Sequence, residues 1–280
     1  MGDLARDTEV EGGDGRYRAA LSKDWEIWGP CGGYVAAVML RAAGAHSSFE
    51  RPASLSCHFH GAAVFGEVDL AVETVRAGRR SESMRVSMIQ GDRPVCEALV
   101  WTVADDLDGF AYDWTSAPDV PPPSEAPTIQ ELFPERASPY PFWENLEYRP
   151  LGWMSEEEFL ANRPHRPEFR SWFRYLPTAT FDDPFVEAGR VTVLADIMGW
   201  PAAGRALSAD DDGRWVAPNI DLSVVFHQPP AGSEHLFLDA EASLATQGMV
   251  GATCRVWSVD GRLLGSAVQQ MVCRPVPQEG

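Results

Sequence analysis

SLSCHFHG (residues 54–61) returns later in the chain as LSVVFHQP (residues 222–229), with Phe226 and His227 standing where Phe59 and His60 stand in the first copy. The first stretch alternates apolar and polar residues with period two, the pattern of a strand with one buried face, and the second is expected to be a strand at the matching place. What surrounds them repeats as well. Upstream of the first lies GGYVAAVMLRAAGA (32–45), an apolar run of good helix formers. Downstream lie EVDLAVETVRAG (67–78), SESMRVSMIQ (81–90) and PVCEALVWTV (94–103), each alternating and bounded by turn residues. Before all of these, GRYRAALS (15–22) alternates weakly and is expected to be a strand.

The second copy keeps the order. EFRSWFRYL (168–176) is a strand, and Asp183-Pro184 offers an N-cap and a first-turn proline for the helix FVEAGRVTVLADIM. Strands follow over 219–228, 235–245, 251–259 and 262–275, with Asp260-Gly261 as a hairpin turn. The chain thus reads as strand, helix and four strands, occurring twice. That is an α+β fold in which each curled antiparallel sheet wraps a helix. The expected boundaries are 1–105 for the first unit, 106–167 for a connection and 168–280 for the second unit. The connection is dense in proline, which breaks helix and sheet. Its Phe133, Tyr140, Phe142 and Trp143 predict packing over the folded halves. Ser155 to Glu158 fits a capping box and opens a short helix.

Composition narrows the function. The 280 residues carry a net charge of -18, which repels nucleic acid and anionic membrane surfaces. No apolar run approaches the ~18 residues needed to span a membrane, and the polar N-terminus lacks the apolar core of a secretory signal. The five cysteines form no CxxC pair, so neither zinc nor a disulfide framework is indicated; buried thiols in a cytoplasmic protein are expected. His58 and His60 share a strand face as two metal ligands would, but no third ligand stands near them in sequence. They are expected to be interior or interface histidines, and no metal or cofactor is expected. An anionic ligand needs a local basic patch, and Arg76, Arg79 and Arg80, with Arg85 close by, form the densest one.

The repeat supplies an internal comparison. The second copy is polar where the first is apolar at three places: Asp196 against Ala43, Asn219 against Pro52 or Ala53, and Gln269 against Val100. Gln269 and Gln270 point to opposite faces, so one of them faces inward. A carboxylate on an apolar helix costs several kcal/mol unless it is hydrogen-bonded. An acid, an amide and a second small polar group can together hold and deprotonate a water molecule. No GxSxG occurs, and no serine–histidine or cysteine–histidine arrangement competes as nucleophile.

GGYVAAVMLRAA, PASLSCHFH and VETVRAGRRSESMRVSMIQGDRPV, followed by LADIMGW, NIDLSVVFHQP and SAVQQMVCRP, resemble the two halves of the acyl-CoA thioesterase II (TesB-like) family. The resemblance spans nearly the whole chain outside the N-terminal tail and the connection. It implies a double hotdog, two helix-in-sheet units side by side as a pseudo-dimer, and hydrolysis of acyl-CoA to a free acid and CoA without metal or covalent intermediate. The family's Asp, Thr or Ser, and Gln fall on Asp196, Asn219 and Gln269. Asn219 departs from the hydroxyl residue, and FHGAAVFGE lacks the proline that usually follows the first half's second strand. The resemblance also implies an oligomer, an acyl-CoA partner, for which the basic patch of Arg76, Arg79 and Arg80 offers the CoA contacts, and an oxyanion hole from the helix-start amides of Gly32, Gly33 or Tyr34. A phosphate loop is the rival reading of those glycines, but GPCGGYVAAV has neither GK[ST] nor GxGxxG. The rival functions are a hotdog enoyl-thioester hydratase or dehydratase, which favours an Asp–His or Glu–His pair, and a non-catalytic acyl-thioester or fatty-acid binding protein.

Overall fold

The computed structural model describes residues 1–276 apart from 136, 137, 139, 209, 212 and 231. Its helices are α1 (Leu4–Asp7), α2 (Gly32–His46), α3 (Ile129–Leu132), α4 (Glu156–Ala161), α5 (Pro184–Ile197) and α6 (Gly199–Gly204). In the first half the strands are β1 (Glu11–Gly13), β2 (Arg16–Leu21), β3 (Arg51–Phe59), β4 (Gly66–Ala77), β5 (Ser81–Gln90) and β6 (Arg93–Val103). Then come β7 (Leu146–Pro150), β8 (Glu168–Tyr175), β9 (Trp215–Val216), β10 (Asn219–Phe226), β11 (His235–Thr246), β12 (Met249–Ser258), β13 (Leu263–Val272) and β14 (Arg274–Pro275).

The duplication read from the strings is visible in the sheet. Twelve of the described strands form one antiparallel sheet in the order β1-β2-β4-β5-β6-β3-β10-β13-β12-β11-β8-β7. The second six run in the reverse order of the first six, so the halves meet edge to edge where β3 pairs with β10. The pairings carry the repeat to single residues: Leu55 sits opposite Val100 on β6, and Leu222 sits opposite Gln269 on β13. Counting back three residues places Asn219 over Pro52, which decides between Pro52 and Ala53. A register shift also recurs at that point, between Pro52 and Ser54 and between Asn219 and Asp221.

The connection departs from expectation. Besides the capped helix α4, it supplies α3 and the strand β7, which pairs with β8 at the sheet edge. An edge strand has one side without ladder bonds, so its terminal Pro150 is tolerated there. Just before β7 the connection is pinned to the first half. Phe142 is fully buried against the Trp25 ring at 5.8 Å, and Asn145 donates to the Asp24 carbonyl at 2.7 Å.

The two long helices are buried almost all round, between the sheet and each other. Their close approach is set by small residues. A Cβ on Gly33 would lie 2.8 Å from the Val193 Cα and 2.7 Å from the Asp196 Cβ, and one on Gly44 would strike the Phe185 ring at 2.5 Å. The start of α2 therefore lies against the end of α5, and the end of α2 against the start of α5. At the far hairpin, Gly261 adopts φ +80° between β12 and β13, the turn that Asp260-Gly261 predicts.

Candidate functional site

The two helices begin differently, and the difference builds the site. Helix α5 caps itself: the Asp183 side chain accepts from the amides of Phe185 (2.8 Å) and Val186 (3.3 Å), with Pro184 in the first turn. At the matching place in α2 stands Cys31, which makes no side-chain capping bond. The first amides of a helix have no partner within it and must find one elsewhere. Here the partner comes from the other helix. Asp196, in the last turn of α5, accepts from the Gly33 amide through Oδ2 at 2.6 Å. An anion at a helix start is also favoured by the aligned peptide dipoles. Counted from the two caps, the residue matching Asp196 at the opposite junction is Gly44, next to the Ala43 of the sequence overlay, and neither can do any of this.

Asp196 is only 8% exposed. Its Oδ1 accepts from the Asn219 Nδ2 at 2.5 Å, and the Cys31 thiol lies 3.5 Å from Oδ2. Burial pushes the carboxyl above its ordinary value, and these three donors oppose the shift by favouring the charged form. The Cys31 thiol is itself raised well above its usual value, by burial and then by the Asp196 charge, which holds it as a donor and not a thiolate nucleophile. A carboxylate offers about four acceptor sites, so three donors leave one for a water or a substrate.

Asp196 and Asn219 line one wall of a cavity of about 470 Å³. Its other walls bring together Ile27, Trp28, Phe59, Tyr140, Trp143 and Trp200, from both halves and from the connection. Gly32 lines it too. A Cβ there would crowd the two Asp196 oxygens at 3.1 and 3.2 Å and the Phe59 ring at 3.2 Å, so a side chain at this place would press on the carboxylate at the cavity wall.

Gln269, 2% exposed, is the inward member of its pair, and Gln270 is exposed. It is not part of the cavity wall. Its Nε2 donates to the Ala195 carbonyl at 3.1 Å, one residue from Asp196, and its buried Oε1 has no hydrogen-bond partner. Gly199 makes room for it, since a Cβ there would meet Nε2 at 2.5 Å.

Other expectations fare differently. Of the three amides assigned to an oxyanion hole, Gly33's is spent on Asp196. Tyr34 is fully buried away from the cavity, its hydroxyl donating to the Asp7 carbonyl at 2.6 Å. Gly32 alone of the three faces the cavity. Arg76, Arg79 and Arg80 sit at the β4–β5 turn, by the Arg51 end of β3, because Arg51 pairs with Val103 and Val103 with Ser81. The cavity lies at the Phe59 end of the same strand, about 25 Å away at ~3.3 Å per residue. Arg80 pairs with Asp106 at 3.0 Å, and Arg76 lies over the Trp101 ring. The structure therefore does not bring these arginines to Asp196. His58 and His60, expected inside or at an interface, are exposed, because the inward phase of β3 falls on Leu55, Cys57 and Phe59. Sequence reasoning missed Cys31, Gly199 and the cavity aromatics. The unusual density of large aromatics in a proline-rich segment was the one available sign of Tyr140 and Trp143.

Residues 21–103 match a family model described as the acyl-CoA thioesterase N-terminal domain, and residues 116–273 one described as the acyl-CoA thioesterase C-terminal domain. Among curated proteins none matches the chain. Among solved structures, a conserved protein of unknown function with a hot dog fold from Alicyclobacillus acidocaldarius is 19% identical, with 99% of this chain and 100% of that one covered at a TM-score of 0.78. Acyl-CoA thioesterase II TesB2 from Mycobacterium marinum is 17% identical, with 98% and 99% covered at 0.76. The dehydratase domain from the CurJ module of curacin polyketide synthase is more distant, 11% identical, with 95% and 96% covered at 0.54. At these identities the structures establish a shared hotdog fold.

Proposed function

Because the chain belongs to the acyl-CoA thioesterase family, we propose that it hydrolyses acyl-CoA with Asp196 as general base, acting on a water held beside Asn219. The enzyme is a thioester hydrolase. The observation that carries the assignment of roles is the buried Asp196 carboxylate, which keeps a free acceptor site at the wall of an aromatic-lined cavity. Water donates one proton to Asp196 while its oxygen bonds to the thioester carbonyl carbon. The carbonyl electrons move onto oxygen, where the Gly32 amide at the positive end of α2 stabilises them. Collapse breaks the carbon–sulfur bond, and the departing CoA sulfur takes the proton from Asp196. Gln269 is a positioning residue: by holding the Ala195 carbonyl it fixes the last turn of α5, and with it the carboxylate. Asn219 orients Asp196 as a donor, and this use of an amide needs no proton relay.

Replacing Asp196 by Asn keeps the shape and removes the base. Thiol release from acyl-CoA is expected to fall by about 10²-fold or more, with circular dichroism unchanged; near-normal rates would refute the role of Asp196. The dehydratase reading needs a histidine against the acid, and none of the described residues bonded to Asp196 is one.

Two broader features belong to the same reading. No described helix is long and apolar enough to cross a membrane. Four of the five cysteines are buried and all are free, which fits a reducing compartment, and we place the enzyme in the cytoplasm. Val225 and Val268, diagonal neighbours on the adjacent strands β10 and β13, are about half exposed on the outer sheet face beside the β3–β10 seam. That apolar patch favours a homo-oligomer, and sedimentation equilibrium giving only monomer would exclude it.

A further inference from the structure

The cavity at Asp196 carries one cationic side chain that the proposed reaction does not use. Among the described residues lining it, Arg274 is the one lysine or arginine. Its side chain is exposed, and no described carboxylate lies within ion-pair distance of it. Its backbone is held firmly. Strand β14 pairs with β9, so that Arg274 sits opposite Val216. The amides on either side of Arg274 are tied down as well: Cys273 donates to the Gly248 carbonyl at 2.8 Å, and Val276 to the Arg214 carbonyl at 2.9 Å. The strand continues from β13, which carries Gln269, and lies beside residues 217–219, whose last member contacts Asp196.

We propose that Arg274 is the phosphate anchor for the CoA portion of the substrate. The proposal rests on the acyl-CoA reading above and adds to it the residue that recognises the carrier. A protein of net charge -18 repels a phosphorylated substrate over most of its surface. A guanidinium at the cavity with no described carboxylate beside it reverses that locally, and its planar donors match a phosphate's oxygens two at a time. The arginines at the β4–β5 turn do not offer this: they stand at the other end of β3, and Arg80 is already paired with Asp106. The aromatic wall opposite takes the acyl group, and the phosphorylated tail leaves past Arg274.

Steady-state kinetics of Arg274→Gln separates this role from a structural one. For an acyl-CoA the variant is expected to raise KM about tenfold, the loss of one charge-assisted phosphate contact, with kcat within about twofold. The same acyl group on N-acetylcysteamine, which carries no phosphate, is expected to show no change in KM. Added salt should raise KM for the wild type and have less effect on the variant. Arg80→Gln serves as control and should leave KM unchanged. An unaltered KM for acyl-CoA in Arg274→Gln, or an equal rise on the phosphate-free thioester, overturns the proposal. Calorimetric binding of free CoA to wild type and Arg274→Gln keeps the two readings apart. If the wild type binds CoA, the variant binds it about tenfold more weakly and neither releases thiol, Arg274 stands and the hydrolase mechanism falls.

Discussion

At the scale of single residues, the proposed site turns on the opposing influences on the buried Asp196 carboxyl. Burial raises its pKa, while the Gly33 amide, Asn219 and the Cys31 thiol lower it. As the proposed base, Asp196 works only when ionised, so kcat/KM should fall as pH drops through that raised value. The acid limb is therefore expected above the ordinary carboxylate range of about 4. Asn219→Asp replaces a donor with a second carboxylate, disfavours ionisation of Asp196 further, and should move the acid limb to higher pH. A pH–rate profile with the limb unmoved would show that Asn219 does not face the base. The linked stability effect has a definite sign. A carboxyl whose folded pKa is raised binds its proton more tightly folded than unfolded. Stability is therefore highest below the unfolded value and declines as pH rises from there through the folded one.

At the scale of elements, the decisive relation is between two helix ends. Helix α2 has no capping side chain of its own, and the carboxylate that fills the gap arrives from α5. This works only because Gly33 lets the ends touch. In Gly33→Ala the new methyl would meet the Asp196 Cβ at 2.7 Å and the Val193 Cα at 2.8 Å, neither of which is a flexible tip. The helices must separate. The expected cost is about 1–3 kcal/mol in chemical denaturation, typical of overpacking, together with a large loss of activity as Asp196 leaves its donor. A variant as stable and as active as wild type would show that the close approach is unimportant. The same logic explains why the residues GPCGG look like a phosphate loop. They do bind an anion at a helix start, but the anion is a side chain of this protein.

At the scale of the whole molecule, the halves are unequal partners in one site. The acid, Asn219 and Gln269 come from the second half, while Gly32, Gly33, Cys31 and Phe59 come from the first. Separately produced halves, residues 1–105 and 106–280, should each be inactive. Each would expose an unpaired central edge, β3 in one and β10 in the other, and one uncovered face of its long helix. Co-expression should restore thiol release with the halves eluting together from a sizing column. Activity in the second half alone would place the whole site there.

The strings by themselves determined the repeat, most strand and helix limits, the family resemblance and the polar trio. They could do so because periodicity, capping and turn chemistry are local, and because each copy served as a reference for the other. Helix α5 begins at Pro184, as its neighbours imply, and Gln269, singled out from Gln270 only by its match to Val100 in the first copy, is the inward glutamine. What tertiary structure alone decided is where those residues meet. Gly33, not Gly32, holds Asp196; Gln269 stands behind the cavity; Arg274 and not the turn arginines lies beside it; and the connection lends Tyr140 and Trp143 to its wall. None of these could be read locally, since they depend on the register of β3 against β10 and on the contact between α2 and α5. Those are distances between residues more than a hundred positions apart, fixed only when the two halves close into one sheet.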